Sequence, residues 1–293
     1  MPAPRAAAVH DLSGFGRCSL TIVLPTLAAM GVQCCPLPTA YLSTHTGGFS
    51  GNTFLDLTDQ IAPVAAHWKQ EGVTFDAIYT GFMGSEKQLG LTADFIRAFK
   101  TPDNLAVVDP VMGDHGRPYR TYTPEMCREM ASLALLADVL TPNRTEAALL
   151  LETEYAALRL DQEEACRMWA ERLSLDGRRS VVLTGVQLCP ESVGAVCFDR
   201  ETGRTEFALA PCVPGQFHGT GDLFASVLTG ALVKGKPLLA AAKLAAEFTS
   251  LCAARTRREN APDREGVDFE PLLWRLGGAL ETGRDVVHAG SEY

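Results

Sequence analysis

The residues His218-Gly219-Thr220-Gly221-Asp222 combine a flexible turn with a carboxylate and run directly into an apolar helical pattern. Glycines allow a turn to aim several backbone N–H groups at the start of a helix, where the helix dipole favours an anion. The segment therefore predicts a phosphate cradle. Asp222 has two open interpretations: it stabilises the first helical turn, or it is a general base beside a transferring phosphoryl group.

Carboxylate and amide groups also follow two short apolar runs. Asp109 follows Leu105 to Val108, while Asn143 and Glu146 follow Val139 to Leu140. At the carboxyl ends of parallel strands such groups face the ligand crevice. Asn143 and Glu146 lie one helical turn apart, and oxygen ligands with this spacing suit a hydrated Mg²⁺ that bridges nucleotide phosphates. The alternative is a capping box formed by Asn143 and Glu146, and the two roles can coexist.

The first strand-like run, Ala6 to His10, leads into a turn-like segment that contains Asp11 and Ser13. Its alternating glycines resemble the beginning of a dinucleotide fingerprint. However, Ser19 stands at the third glycine position, and no suitable acidic residue follows about 20 positions later. We therefore expect no Rossmann-type cofactor here, and Asp11 or Ser13 is predicted to hydrogen-bond a small ligand.

The segment Leu42 to Phe49 contains hydroxyl groups, the imidazole of His45 and two adjacent glycines. Such a loop can present hydrogen-bond donors and acceptors to a polar heteroaromatic ring. The alternative is an ordinary turn, in which Ser and Thr side chains cap their own backbone.

Alternation of short apolar runs with helical patterns predicts an α/β fold, a three-layer α/β/α sandwich around a mainly parallel sheet. The predicted strands are Ala6 to His10, Val32 to Leu37, Phe75 to Tyr79, Leu105 to Val108, Val139 to Leu140 and Ser180 to Leu183. Strand-like runs between Val193 and Leu209 predict an antiparallel hairpin at one edge. One domain spanning residues 1–293 is expected, with Thr39 to Asn52 and Gly113 to Thr121 as excursions over a site.

Helical periodicity recurs between and after these runs. The predicted helices are Cys18 to Met30, Phe54 to Gln70, Glu86 to Phe99, Pro124 to Leu135, Arg144 to Leu151, Gln162 to Leu173, Asp222 to Val233, Leu238 to Arg255 and Phe269 to Leu276.

Composition narrows the class of protein. A net charge of −9 argues against nucleic acid or an anionic membrane as a general partner. The absence of a long apolar run or signal-like N-terminus in the sequence favours a cytoplasmic protein. Its 9 cysteines are scattered without a Cys-x-x-Cys pair, which predicts reduced thiols rather than disulfides or a zinc site.

Together, the acidic strand ends and the phosphate cradle indicate phosphoryl transfer from a nucleotide. The motifs resemble those of the ribokinase-like vitamin kinases, most closely the pyridoxal kinases. The similar segments, from about Ala6 to Glu270, are Ser43 to Gly47, Thr80-Gly81-Phe82, Asp109 to Asp114, Ala137 to Glu146 and Gly219 to Phe224.

This resemblance implies ATP-dependent phosphorylation of the 5′-hydroxymethyl group of pyridoxal, pyridoxine or pyridoxamine, with ATP and Mg²⁺ as cofactors and a monovalent cation such as K⁺ as a further candidate. It also implies a homodimer. For catalysis, it implies Asp222 as the base and Gly219, Thr220 and Gly221 as the anion hole. The expected substrate contacts are Asp11, Ser13, His45, Thr46, Gly47 and Phe82. Asp109 and Glu146 are the expected metal ligands, and Asp114 and Tyr122 are expected in a lid-like loop near residues 113–122. The expected nucleotide contacts are Asp109, Asp114, Tyr122, Thr141, Asn143, Glu146, Thr184, Gly219 and Gly221.

Two features of the resemblance point to different substrates. Asp11-Leu12-Ser13-Gly14 is similar to the hydroxymethylpyrimidine kinases of thiamine synthesis, whereas pyridoxal kinases usually have serine at the position of Asp11. Those pyrimidine kinases usually have cysteine at the position of Asp222, so the aspartate favours a B6 vitamer. Two further hypotheses are a sugar or nucleoside kinase of the same fold and a non-catalytic vitamin-binding homologue.

Overall fold

The computed structural model describes residues 2–282. A nine-stranded sheet has the order β11-β10-β9-β8-β5-β4-β1-β2-β3, and β6 and β7 form a separate antiparallel hairpin. The strands are β1 (Arg5–Phe15), β2 (Gln33–Thr44), β3 (Phe54–Asp56), β4 (Ala77–Thr80), β5 (Leu105–Val108), β6 (Gly113–Asp114), β7 (Arg117–Pro118), β8 (Val139–Leu140), β9 (Ser180–Cys189), β10 (Ser192–Asp199) and β11 (Arg204–Pro211).

Helices cover both faces of the large sheet. They are α1 (Leu20–Ala29), α2 (Thr58–Gln70), α3 (Glu86–Phe99), α4 (Pro124–Ala134), α5 (Arg144–Leu150), α6 (Glu163–Leu173), α7 (Thr220–Val233), α8 (Leu238–Arg258) and α9 (Trp274–Thr282). The central strands from β2 to β9 pair in parallel. The predicted three-layer α/β/α sandwich is therefore confirmed, as is the antiparallel pair β10 and β11 at one edge.

Buried small residues in β1 explain how helices pack on both faces. Ala6 and Ala8 belong to the core beneath α1, α7 and α8, while Ala7 and Val9 belong to the core beneath α2 to α6. A parallel strand covered on both sides requires this continuous apolar run.

Three predicted elements differ from the structure. Phe54–Asp56, predicted as the start of a helix, instead pairs antiparallel with β2 as strand β3. Strand β1 continues past His10 to Phe15, with a register shift near Asp11 instead of a turn. Phe269 to Leu276 is also not one helix, because a short 3₁₀ turn at Glu270–Leu272 precedes α9.

Other predictions concern chemistry and environment. All the cysteines are free thiols, as expected. Within residues 2–282, no helix has the length and apolar character needed to span a membrane.

Candidate active site

The carboxyl ends of the parallel strands bring several predicted site residues to one edge of the sheet. Asp109 follows β5, Thr141 follows β8 and Thr184 lies in β9 beside it, where the Thr184 N–H donates to the Pro142 carbonyl. Phe82 follows β4 close by. This shared edge results from parallel pairing, which aligns all the strand ends.

The turn before α7 has the geometry expected of an anion cradle. Gly219 is the N-cap at φ +80°, and a Cβ there would lie 2.3 Å from the Arg17 carbonyl oxygen, so no larger residue fits. Gly221 is exposed and faces open space, since a Cβ there would meet nothing within 4 Å. The Thr220 hydroxyl donates to the Phe217 carbonyl at 3.1 Å. The first N–H groups of α7, which have no partner within the helix, therefore remain accessible to a ligand.

Asp222 lies at the start of α7, half-buried, and its Oδ2 accepts a hydrogen bond from the Ser19 N–H at 2.9 Å. Burial and the nearby charge of Asp11 raise the pKa of Asp222 from 3.8 to about 6, against the stabilising effect of the Ser19 N–H. The group is thus ionised at neutral pH but has gained proton affinity. That combination suits a general base.

Asp11 is buried at the register shift of β1. Its carboxylate accepts hydrogen bonds from the hydroxyls of Ser19, at 2.5 Å, and Ser13, at 3.3 Å. Burial raises the pKa of Asp11, while both hydroxyls oppose the rise. No cation among residues 2–282 forms an ion pair with Asp11 or Asp222, so both acidic groups depend on neutral donors.

The capping interpretation of Asn143 and Glu146 is confirmed. The Asn143 side chain accepts from the N–H groups of Thr145 and Glu146, and Glu146 Oε2 accepts from the Asn143 N–H at 2.7 Å. Glu146 Oε1 also accepts from the Met112 N–H at 3.3 Å. The buried Glu146 carboxylate is therefore held in place by backbone donors.

The buried acids Asp109 and Glu146 fit a divalent cation. Burial and the charge of Asp222 raise the pKa of Asp109, and burial and the charge of Asp109 raise the pKa of Glu146. Neither acid has an ion-pair partner in the part of the chain that the structure describes. The same residues contain no group of three or more His, Cys, Asp or Glu side chains arranged around an ion. With only these two acids, water molecules would have to complete the coordination of Mg²⁺.

The hairpin β6–β7 is attached to the start of α5. Asn143 Nδ2 donates to the Gly113 carbonyl and Thr145 Oγ1 accepts from the Gly116 N–H, both at 2.9 Å. Asp114 at the tip is exposed. After the hairpin, the buried ring of Tyr122 lies 6.1 Å from that of Phe82. The first residues of the predicted lid-like loop near residues 113–122 are thus held by hydrogen bonds to the start of α5.

The segment predicted to contact a ring is anchored through His45. The His45 Nε2–H donates to the Arg264 carbonyl at 2.7 Å, and Nδ1 accepts from the Gly47 N–H at 3.1 Å. Burial lowers the pKa of His45, which favours the neutral ring. The ring centroids of His45 and His218 are 5.3 Å apart, which places His45 beside the turn before α7. The neighbouring Thr46 is exposed. Because both ring nitrogens have partners, His45 fixes the loop near the site.

Ser19 is a site residue that the sequence did not reveal. It contacts both Asp11 and Asp222, yet the sequence marked it only as a missing third glycine. Its backbone has φ 48° and ψ −133°, a region that glycine favours. The only sequence signal for Ser19 is its place at the third glycine position. That signal indicates the conformation of the backbone and not the contacts with Asp11 and Asp222.

A family model and several known proteins match most of the chain. Residues 24–262 match the phosphomethylpyrimidine kinase family. A solved structure of a candidate phosphomethylpyrimidine kinase from Bacteroides thetaiotaomicron is 42% identical, with a TM-score of 0.89 and 94% of each chain covered. A second crystal form of a protein with that name and source contains pyridoxal.

Two other relatives have the names of the two kinds of kinase that the motifs resemble. The pyridoxal kinase of Lactobacillus plantarum is 32% identical, with a TM-score of 0.85, and the match covers 93% of this chain and 96% of that one. A hydroxymethylpyrimidine/phosphomethylpyrimidine kinase of Rhizobium meliloti is 26% identical over 259 residues, which are 86% of this chain and 91% of that protein. Both types of kinase are therefore similar to this chain along most of its length.

Proposed function

The chain belongs to the phosphomethylpyrimidine kinase family, and from that premise we propose that it transfers the γ-phosphoryl group of ATP to the 5′-hydroxymethyl group of pyridoxal, pyridoxine or pyridoxamine. The family membership confirms that the chain is a ribokinase-like kinase, as its motifs predicted. The observation that carries the proposal is Asp222, a half-buried carboxylate beside the accessible N–H groups of the turn before α7. We treat residues 1–293 as one kinase domain.

Asp222 acts as the base in the proposed reaction. The alcohol oxygen forms a bond to the γ-phosphorus while the bond to the ADP oxygen breaks, and the alcohol proton passes to Asp222. The loose transition state requires charge neutralisation more than a strong base, so a carboxylate with a pKa of about 6 suffices. The N–H groups of Gly219, Thr220 and Gly221 donate to the transferring phosphoryl oxygens.

The nucleotide is proposed to bind along the strand ends from β5 to β9. A kinase of this family uses ATP and a divalent metal, and we propose Mg²⁺ held through Asp109 and Glu146. When bound there, the ion supplies positive charge to the nucleotide phosphates. Further proposed nucleotide contacts are Asp114, Tyr122, Thr141, Asn143 and Thr184. A monovalent cation such as K⁺ stays a prediction.

The substrate ring is proposed to bind between β1 and the loop anchored by His45. Asp11 and Ser13 would hydrogen-bond its polar atoms, and Phe82 would pack against it. Thr46 and Gly47 complete the proposed contacts. This proposal rests on the buried carboxylate of Asp11, which has only neutral donors around it.

Hydroxymethylpyrimidine is the second candidate substrate, favoured by Asp11 and by the similarity to pyrimidine kinases. ATP turnover with pyridoxal, pyridoxine, pyridoxamine and hydroxymethylpyrimidine tests the proposal directly. We expect the highest kcat/KM with a B6 vitamer. A higher kcat/KM with hydroxymethylpyrimidine would favour the second candidate, and no turnover with any of these alcohols would indicate a non-catalytic homologue.

We also propose that the chain forms a homodimer through the edge of the sheet at β3. Phe54 is 54% exposed and Leu55 57% exposed on this short edge strand, and Phe15 and Tyr41 are exposed on the neighbouring strands. Exposed edges with large apolar side chains are typical interaction surfaces. Sedimentation of the wild type as a dimer and of Phe54→Asp as a monomer is the expected result. A monomeric wild type would contradict the proposal.

A further inference from the structure

Ser19 holds both acidic groups on the alcohol-binding side of the site. Its hydroxyl donates to Asp11 Oδ1 at 2.5 Å, and its backbone N–H donates to Asp222 Oδ2 at 2.9 Å. The residue itself is only 5% exposed. One residue therefore orients the proposed ring contact through its side chain and the proposed base through its backbone.

The backbone of Ser19 is held in an unusual shape. With φ 48° and ψ −133°, the residue occupies a region that is unfavourable for any residue except glycine. A glycine would avoid that cost but would have no hydroxyl to donate to Asp11. Strained residues of this kind persist where the surrounding structure fixes them, and they cluster at functional sites.

The surrounding structure fixes this segment through Arg17. The Arg17 guanidinium contacts Glu270 at 2.8 Å and Asp268 at 3.2 Å. Its carbonyl oxygen packs so closely against Gly219 that a Cβ there would lie 2.3 Å away. The chain leading into Ser19 is thus clamped between the turn before α7 and the segment before α9.

We propose that Ser19 is a positioning residue that couples recognition of the alcohol substrate to placement of the base. This inference rests on the proposed function. The hydroxyl keeps the buried Asp11 carboxylate in one orientation and favours its charged form, so its loss weakens substrate binding. The N–H to Asp222 is a backbone contact and survives replacement of the side chain. Loss of the hydroxyl should therefore raise KM through Asp11. It should change kcat less, because the contact with Asp222 remains.

The test compares Ser19→Ala and Ser19→Gly with the matched control Ser174→Ala. Ser174 is also a buried serine, but its hydroxyl donates to the Glu171 carbonyl and contacts neither Asp11 nor Asp222. Ser19→Gly suits the backbone angles, so the test does not depend on Ser19→Ala folding. We expect both Ser19 variants to raise the KM for pyridoxal about tenfold, because hydrogen bonds to charged groups are strong. The KM for ATP should stay unchanged, and Ser174→Ala should leave the KM for pyridoxal unchanged.

A double-mutant cycle with Asp11→Asn checks that Ser19 acts through Asp11. In the Asp11→Asn background, Ser19→Gly should cause little further rise in KM. Additive effects, or a Ser19→Gly variant whose KM for pyridoxal is no higher than that of Ser174→Ala, would overturn the inference while wild-type turnover preserved the proposed function. A wild type that phosphorylates none of the four alcohols would overturn the proposed function first, and this inference with it.

Discussion

The two halves of the candidate site are held together by different kinds of contact. Asn143 and Glu146 stabilise each other from positions three apart at the start of one helix. Asp222, in contrast, is held by Ser19 from 203 positions away. The first contact forms with α5 itself, whereas the second requires β1, α1 and α7 to be assembled. The nucleotide half of the site, which contains Asn143 and Glu146, is therefore a local structure. The alcohol half, which contains Ser19 and Asp222, depends on assembly of the whole fold.

The two halves also differ in how their negative charge is compensated. Both oxygens of Glu146 accept backbone N–H groups, and a cation can compensate the remaining charge that it shares with Asp109. The charge of Asp11 raises the energy of the ionised form of Asp222, and the described residues provide neither carboxylate with an ion-pair partner. We conclude that a bound cation can compensate the charge of the nucleotide half, while only neutral donors stabilise the carboxylates of the alcohol half.

The largest effect should come from removing the base. Asp222→Ala is expected to lower kcat about 10²–10⁴-fold, which is the usual contribution of a positioned general base. ATP affinity, measured by calorimetry, should change little because Asp222 belongs to the alcohol half. Asp59→Ala is a matched control, since Asp59 also lies in the first turn of a helix but is exposed. Near-normal turnover of Asp222→Ala would contradict the proposed role.

Neutralising the nucleotide half should weaken metal dependence. In Glu146→Gln the amide oxygen can still accept the Asn143 N–H, so the helix start is retained while the charge is lost. We expect the Mg²⁺ concentration for half-maximal activity to rise about tenfold. Glu125→Gln, an exposed first-turn acid of α4, provides the control. An unchanged Mg²⁺ titration would show that Glu146 only caps α5.

The pH dependence should reveal the interaction between the alcohol-side acids. Because Asp222 must be ionised to accept a proton and its pKa is about 6, kcat/KM should fall roughly tenfold per pH unit below that value. The charge of Asp11 helps to raise this pKa. Asp11→Asn should therefore shift the acidic limb to lower pH, even if it also raises KM. A limb that does not move would show that the two carboxylates act independently.

The same contrast explains how much the sequence could predict. The strand ends with Asp109 and Glu146, and the turn at Gly219, follow short patterns, so their positions could be predicted from spacing alone. The strand at Phe54–Asp56 was missed because its pairing with β2, rather than its own pattern, determines its conformation. Ser19 was missed for a similar reason, since its partners come from β1 and α7. Contacts that depend on assembly of the sheet have no local sequence signal.

The smallest predicted effect is on the free energy of unfolding. The sign of this change should differ between variants in the alcohol half and variants in the nucleotide half. Burial raises the pKa of Asp222 above its ordinary value of 3.8, so the folded state binds its proton more tightly than the unfolded state does. The contribution of Asp222 to the free energy of unfolding therefore falls as pH rises from about 4 to about 6. Above that range the destabilisation has reached its full size. Asp222→Asn never ionises and should stabilise the fold by about 1–3 kcal/mol at pH 8 but not at pH 4.

Thermal and urea unfolding at both pH values would measure this difference. Asn143→Ala is the comparison in the nucleotide half, where loss of a helix cap should destabilise by about 1 kcal/mol at both pH values. If Asp222→Asn instead destabilised the protein at pH 8, the Asp222 carboxylate would be a stabilising cap of α7. Its raised proton affinity would then no longer support its role as a base.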